Sequence, residues 1–179
     1  MPAEPTIRFE PVTAEHLPML RHWLKQPHMR EWWGEPEEEL GFIRDMIEGR
    51  DSTRPFIIVL GDEPVGYIQY WFLGHHQNAE WIDDHPWLAE LPAGAVGVDL
   101  SIGHPDKLSK GIGSKALAAF VRKLRDDGFE TILIDPDPDN LRAVGAYRKA
   151  GFRPVPWLEG RSGNALIMQY DPNTDETTI

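Results

Sequence analysis

The chain of 179 residues carries a net charge of −11, 41 % hydrophobic residues, seven tryptophans and no cysteine. Its length suits one domain that buries about 70 % of its unfolded surface, and the missing cysteine excludes disulfides, thiolate metal sites and a cysteine nucleophile. The acidic balance disfavours nucleic-acid binding, which depends on Lys and Arg, and either attracts cationic small molecules or simply keeps the protein soluble.

Residues 6–11 alternate and read as a first strand. Thr13, with Glu15 and His16 after it, caps a helix whose apolar positions Leu17, Leu20, Trp23 and Leu24 fall at spacings of three and four. Residues 30–34 read as a loop, and Pro36 opens a second helix that runs to about Glu48. Strands follow at 55–60 and 65–73, joined by a turn at 61–64. Residues 74–94 read as a long irregular acidic connection, of the kind that is usually functional or mobile. A strand at 95–102 precedes a helix at 111–127 with Leu117, Phe120, Val121 and Leu124 facing inward. A short buried strand at 131–134 and a helix at 141–150 come next. Residues 152–158 and 165–170 read as a hairpin around 159–163. The pattern predicts one domain over 1–170, a mixed sheet with helices on both faces, and a polar tail at 171–179. No apolar run approaches the roughly 20 residues that cross a bilayer, and the start lacks the basic and apolar segments of a signal peptide. The expected setting is the cytoplasm, without a membrane partner.

Two loop-to-helix units about thirty residues apart carry the chemistry. In the first, Gly111 and Gly113 open a helix, where unpaired amides and the helix dipole attract a pyrophosphate. Lys107, Lys110 and Lys115 add charge there. Gly111-x-Gly113-x-x-Ala116 comes near a dinucleotide fingerprint, but those glycines should follow their strand at once and here 103–110 intervene. In the second unit Asp135-x-Asp137-x-Asp139 starts like a calcium loop and then has Asn140 and Ala146 where glycine and glutamate are required. Asp139 or Asn140 instead caps the next helix. No metal site is expected, since His75 and His76 have no ligand set around them.

Together, Pro27-His28-Met29-Arg30-Glu31-Trp32-Trp33-Gly34, Glu63-Pro64-Val65-Gly66-Tyr67-Ile68-Gln69, Gly97-Val98-Asp99, Lys110-Gly111-Ile112-Gly113-Ser114-Lys115 and the run from Asp135 to Phe152 resemble the GNAT superfamily of acetyl-CoA-dependent N-acetyltransferases. The aminoglycoside 6′-N-acetyltransferase branch is the most similar. The resemblance implies a mixed, mostly antiparallel central sheet, acetyl-CoA as cosubstrate and a cationic amine as acceptor, in a monomer or homodimer. It departs from the family at Leu108, where Gln or Arg is common, and at Ser109, where glycine is usual.

The missing cysteine favours direct attack by the amine in a ternary complex, which needs a base. Asp99 is the candidate, an acid in an otherwise apolar strand (Val96, Val98, Leu100, Ile102), although alternation also allows an outward-facing strand aspartate. By resemblance Tyr147 is the acid for the departing thiolate, or a packing tyrosine. Backbone at Leu100, Ser101 and Ile102, the segment Gly111-Ile112-Gly113-Ser114 with its lysines, and Asn140, Ala143, Tyr147 and Lys149 are the implied cofactor contacts. Trp32, Trp33, Gln69, Asp83, Asp84, Asp99 and Asp135 are the implied acceptor contacts, against plainer readings of the tryptophans as core and of Asp83 and Asp84 as solvated loop. An N-acyltransferase for another amine, such as a siderophore hydroxylysine precursor, and a non-catalytic acyl-CoA-binding module are the competing functions.

Overall fold

The computed structural model describes residues 3–173, so 174–179 of the expected tail lie outside the described residues. Seven strands form one sheet in the order β1-β2-β3-β4-β5-β7-β6: β1 (Ile7–Pro11), β2 (Arg54–Leu60), β3 (Glu63–Phe72), β4 (Val96–Ile102), β5 (Ile132–Ile134), β6 (Phe152–Pro154) and β7 (Met168–Tyr170). β1–β2, β2–β3, β5–β7 and β6–β7 pair antiparallel, and β4–β5 pairs parallel. The expected mixed, mostly antiparallel sheet is thus present. The chain falls into two compact units. One closes at Tyr70 and takes in Leu100–Ala116, and the other comprises Trp71–Asp99 and the chain from Leu117 on.

In the first unit a capping box at Thr13, whose backbone N–H donates to His16 Nδ1 at 2.9 Å, starts a 3-10 turn that becomes α1 (Leu17–Leu24). Its stripe Leu20, Trp23 and Leu24 joins Leu40 and Ile43 of α3 (Pro36–Ile47) over Ile57, Val59 and Tyr67 of the sheet. Residues 30–34, expected as loop, are instead largely helical: α2 spans Pro27–Trp32. Pro27 presets its first turn and Met29 is buried, but six residues are too few to display a helical period.

In the second unit the connection at 74–94 is not irregular. Asn78 caps α4 (Ala79–Asp84) by accepting from the Trp81 amide at 3.2 Å, and Pro86 opens a 3-10 turn, Pro86–Glu90. The Gln77 side chain donates to the carbonyls of Leu88 and Leu91 at 2.9 and 2.8 Å, folding the segment back on itself. Trp87, Leu88 and Leu91 then pack with Leu73, Ala95, Leu133, Val155, Leu158 and Ile167 in this unit's core. The expected strands at 152–158 and 165–170 shorten to β6 and β7, because Pro154 and Pro156 lack donors and Pro156–Leu158 is a 3-10 turn. α5 (Ile112–Asp126) buries Leu117, Phe120, Val121 and Leu124 as its spacing predicts, and α6 (Leu141–Lys149) follows β5. Gly97 has a packing reason: a Cβ there would meet the Trp71 indole at 2.1 Å. That contact lets β4 pass flat against the ring two residues before Asp99.

Candidate active site

Register brings the principal acids together. β4 and β5 run parallel with Gly97 beside Leu133 and Val98 beside Ile134, so the next positions along are Asp99 and Asp135. Adjacent strands lie about 4.8 Å apart, and two carboxyl groups at neighbouring positions of parallel strands feel each other strongly. Burial, and then the Asp99 charge, push the Asp135 carboxyl up to about 8, against a smaller lowering by a hydrogen bond to its own backbone. Tyr147, buried on α6, is raised above its ordinary value first by burial and then by Asp99 and Asp135, so the phenol holds its proton at physiological pH. Asp99, Asp135 and Tyr147 therefore form one electrostatically linked group in the second unit.

Asp135 also lines a cavity of about 330 Å³ with Asp84, His85, Trp87 and the loop Arg161-Ser162-Gly163-Asn164-Ala165. Asp84 reaches this cavity, whereas Asp83 is exposed and is not among its lining residues. His85, Trp87 and Arg161 were not singled out from sequence as acceptor contacts; the only signals were a Pro86 turn and the glycines beside Arg161. Indole and imidazole rings alternate toward the cavity, with centroids 5.2 Å apart for Trp71–His76, 5.0 Å for His76–Trp81, 5.8 Å for Trp81–His85 and 6.4 Å for His85–Trp87. The acidic run after β5 forms a turn, in which Asp137 accepts from the Asp139 amide at 2.9 Å. Asn140, not Asp139, caps α6 through the Ala143 amide at 3.3 Å. On α6, Ala143 is half-buried and Lys149 exposed.

The first unit holds the other predicted residues. Trp33 packs edge-on against Tyr67 with centroids 5.6 Å apart, beside the core, while Trp32 is exposed. Gln69 accepts the Tyr67 hydroxyl at 2.6 Å. Leu100 and Ile102 are buried at the end of β4, and Ser101 Oγ donates to Met29 Sδ at 2.7 Å. Gly111 has φ +78°, and nothing lies within 4 Å of where its Cβ or that of Gly113 would stand. Ser114 Oγ donates to the Gly111 carbonyl at 3.1 Å, Ile112 is buried, and Lys110 and Lys115 are exposed at the start of α5. Lys107 pairs with Glu63 at 3.3 Å. Open space at the two glycines, a helix N-terminus and lysines fit a pyrophosphate. Ser109 stands at φ 60°, the left-handed conformation that glycine adopts more cheaply.

These features fit an enzyme that holds a phosphate-bearing cosubstrate and carries a group of acids. Residues 12–159 match the acetyltransferase (GNAT) domain, and the chain belongs to that family of acetyl-CoA-dependent N-acetyltransferases. It is 36 % identical over 176 residues to the aminoglycoside N(6′)-acetyltransferase type 1 of Klebsiella pneumoniae, across 93 % of this chain and 84 % of that one. The protein of the same name from Serratia marcescens matches equally. A solved structure of AAC(6′)-Ib in complex with coenzyme A and kanamycin has a TM-score of 0.77 at 30 % identity, covering 97 % of this chain and 99 % of that one. Among the described residues, no helix is long and apolar enough to cross a membrane.

Proposed function

We propose that this enzyme acetylates the 6′-amine of aminoglycosides by direct attack of the amine, with Asp99 as base, Tyr147 as acid and Asp135 as ammonium partner. The observation that carries the reading is the juxtaposition of Asp99, in the middle of β4, and Asp135, just after the end of β5. Similarity to aminoglycoside 6′-N-acetyltransferases over most of the chain supports it.

When bound, acetyl-CoA supplies the acetyl group as an activated thioester. In the first unit the amides from Gly111 to Ser114, with Lys110 and Lys115, hold its pyrophosphate, and backbone groups of Leu100 and Ile102 hold its arm. In the second unit an arriving ammonium offsets the Asp99 charge, which after burial is what lifts Asp135. A cation beside two carboxyl groups favours both as carboxylates, so Asp135 releases its proton and pairs with the charge. The Asp99 carboxylate then accepts a proton from the amine nitrogen, directly or through one water. Tyr147, still protonated, holds the proton that a leaving thiolate requires. The reading sets this chemistry in the cytoplasm.

CoA release measured with kanamycin, tobramycin, spermidine and a hydroxylysine derivative tests the assignment. Saturable turnover of kanamycin, with the product acetylated at the 6′-amine, is expected. Turnover confined to the hydroxylysine derivative would replace the acceptor.

A further inference from the structure

Arg161 has no part in the chemistry above, yet it lines the cavity that holds Asp84 and Asp135. Among the lining residues it is the one side chain charged positive at every accessible pH. It is held at both ends of its guanidinium: Nη2 donates to Glu90 Oε1 at 2.6 Å and Nη1 to the Trp157 carbonyl at 3.2 Å. Gly160 and Gly163, at φ 73° and 65°, turn the chain on either side of it, and Ser162 Oγ donates to the Ala165 carbonyl at 2.7 Å. The Glu90 and Arg161 side chains are 36 % and 52 % exposed, so the ion pair contributes little to stability. It does, however, fix a cation on the wall of a cavity that also holds the carboxyl groups of Asp84 and Asp135, and it neutralises Glu90, an acid that would otherwise attract cations.

We propose that the Arg161–Glu90 pair is a specificity device that limits how strongly the site prefers polycationic acceptors. It rests on the reading of this cavity as the amine-acceptor site. One ammonium is drawn to Asp99 and Asp135, while Arg161 repels, and the cancelled Glu90 fails to attract, any further ammonium near the loop. The consequence is a difference in sign. Removing the guanidinium frees a carboxylate and helps a polycation, whereas removing the carboxylate leaves an unpaired guanidinium and hinders it.

The test compares KM for kanamycin, which carries several ammonium groups, and for 6-amino-6-deoxyglucose, which carries one, in the full-length enzyme at low salt. Arg161→Gln is expected to lower the kanamycin KM about three- to tenfold and Glu90→Gln to raise it by a similar factor. The double variant should return near the wild-type value. The monoamine should move by less than about twofold, and added salt should compress the kanamycin shifts. A tie that merely held the loop would make both single variants move KM in the same direction, which would overturn the proposal, as would equal shifts for the two amines. Wild-type enzyme that acetylates neither amine would overturn the acceptor reading itself and the pair's role with it.

Discussion

At the scale of single residues, Asp135 carries the most testable consequence. Its folded pKa of about 8 lies far above the value near 4 of an unfolded aspartate. The group's contribution to stability is therefore complete below about pH 4 and is lost as pH rises through about 8, because the folded state must then give up a proton it holds more tightly than the unfolded chain. Asp135→Asn removes that dependence. Melting curves of the unliganded protein should show the variant gaining on the wild type steadily between about pH 5 and 8.5. A difference that stays constant across that range would contradict the account. The residues themselves suggested Asp99 as the base, since it is the one acid in a largely apolar strand. That the neighbouring carboxyl lifted by burial and by Asp99 is Asp135 depends on the β4–β5 register, which no local pattern reveals.

At the scale of elements, the loop before α5 retains a strained residue. Ser109 holds φ 60°, which costs a non-glycine residue about 1–2 kcal/mol. Part of any gain from glycine is cancelled by the greater freedom of the unfolded chain. Ser109→Gly is accordingly expected to raise the melting temperature by about 1–3 °C and to leave acetyl-CoA binding intact or slightly tighter; a lower melting temperature would show that the serine side chain earns its place. The elements visible in the sequence were those long enough to show a period, such as α1, α3, α5 and the strands β2–β4. α2 and α4 escaped because six residues make fewer than two turns. β6 and β7 were read as longer than they are, since Val155, Leu158 and Ile167 look like strand residues but are buried by the Pro156 turn and the core around Trp87.

For the molecule as a whole, a net charge of −11 is well matched to a cationic acceptor, since the field of an acidic protein raises the local concentration of cations. The sequence suggested the glycine loop from a helix start and Asp99 from a polar break in a strand interior, and the family resemblance suggested Tyr147. They did not disclose the cavity wall at His85, Trp87 and Arg161, which exists only once two distant turns are packed in one core. The proposed role of Asp99, taking the proton that makes the acceptor amine a nucleophile, is checked by kcat/KM for kanamycin acetylation in wild type and Asp99→Asn, together with the Kd of each for acetyl-CoA. A fall of about 10²–10³-fold in kcat/KM, with acetyl-CoA affinity preserved, is the predicted result. Near-normal turnover by a folded Asp99→Asn enzyme would contradict it.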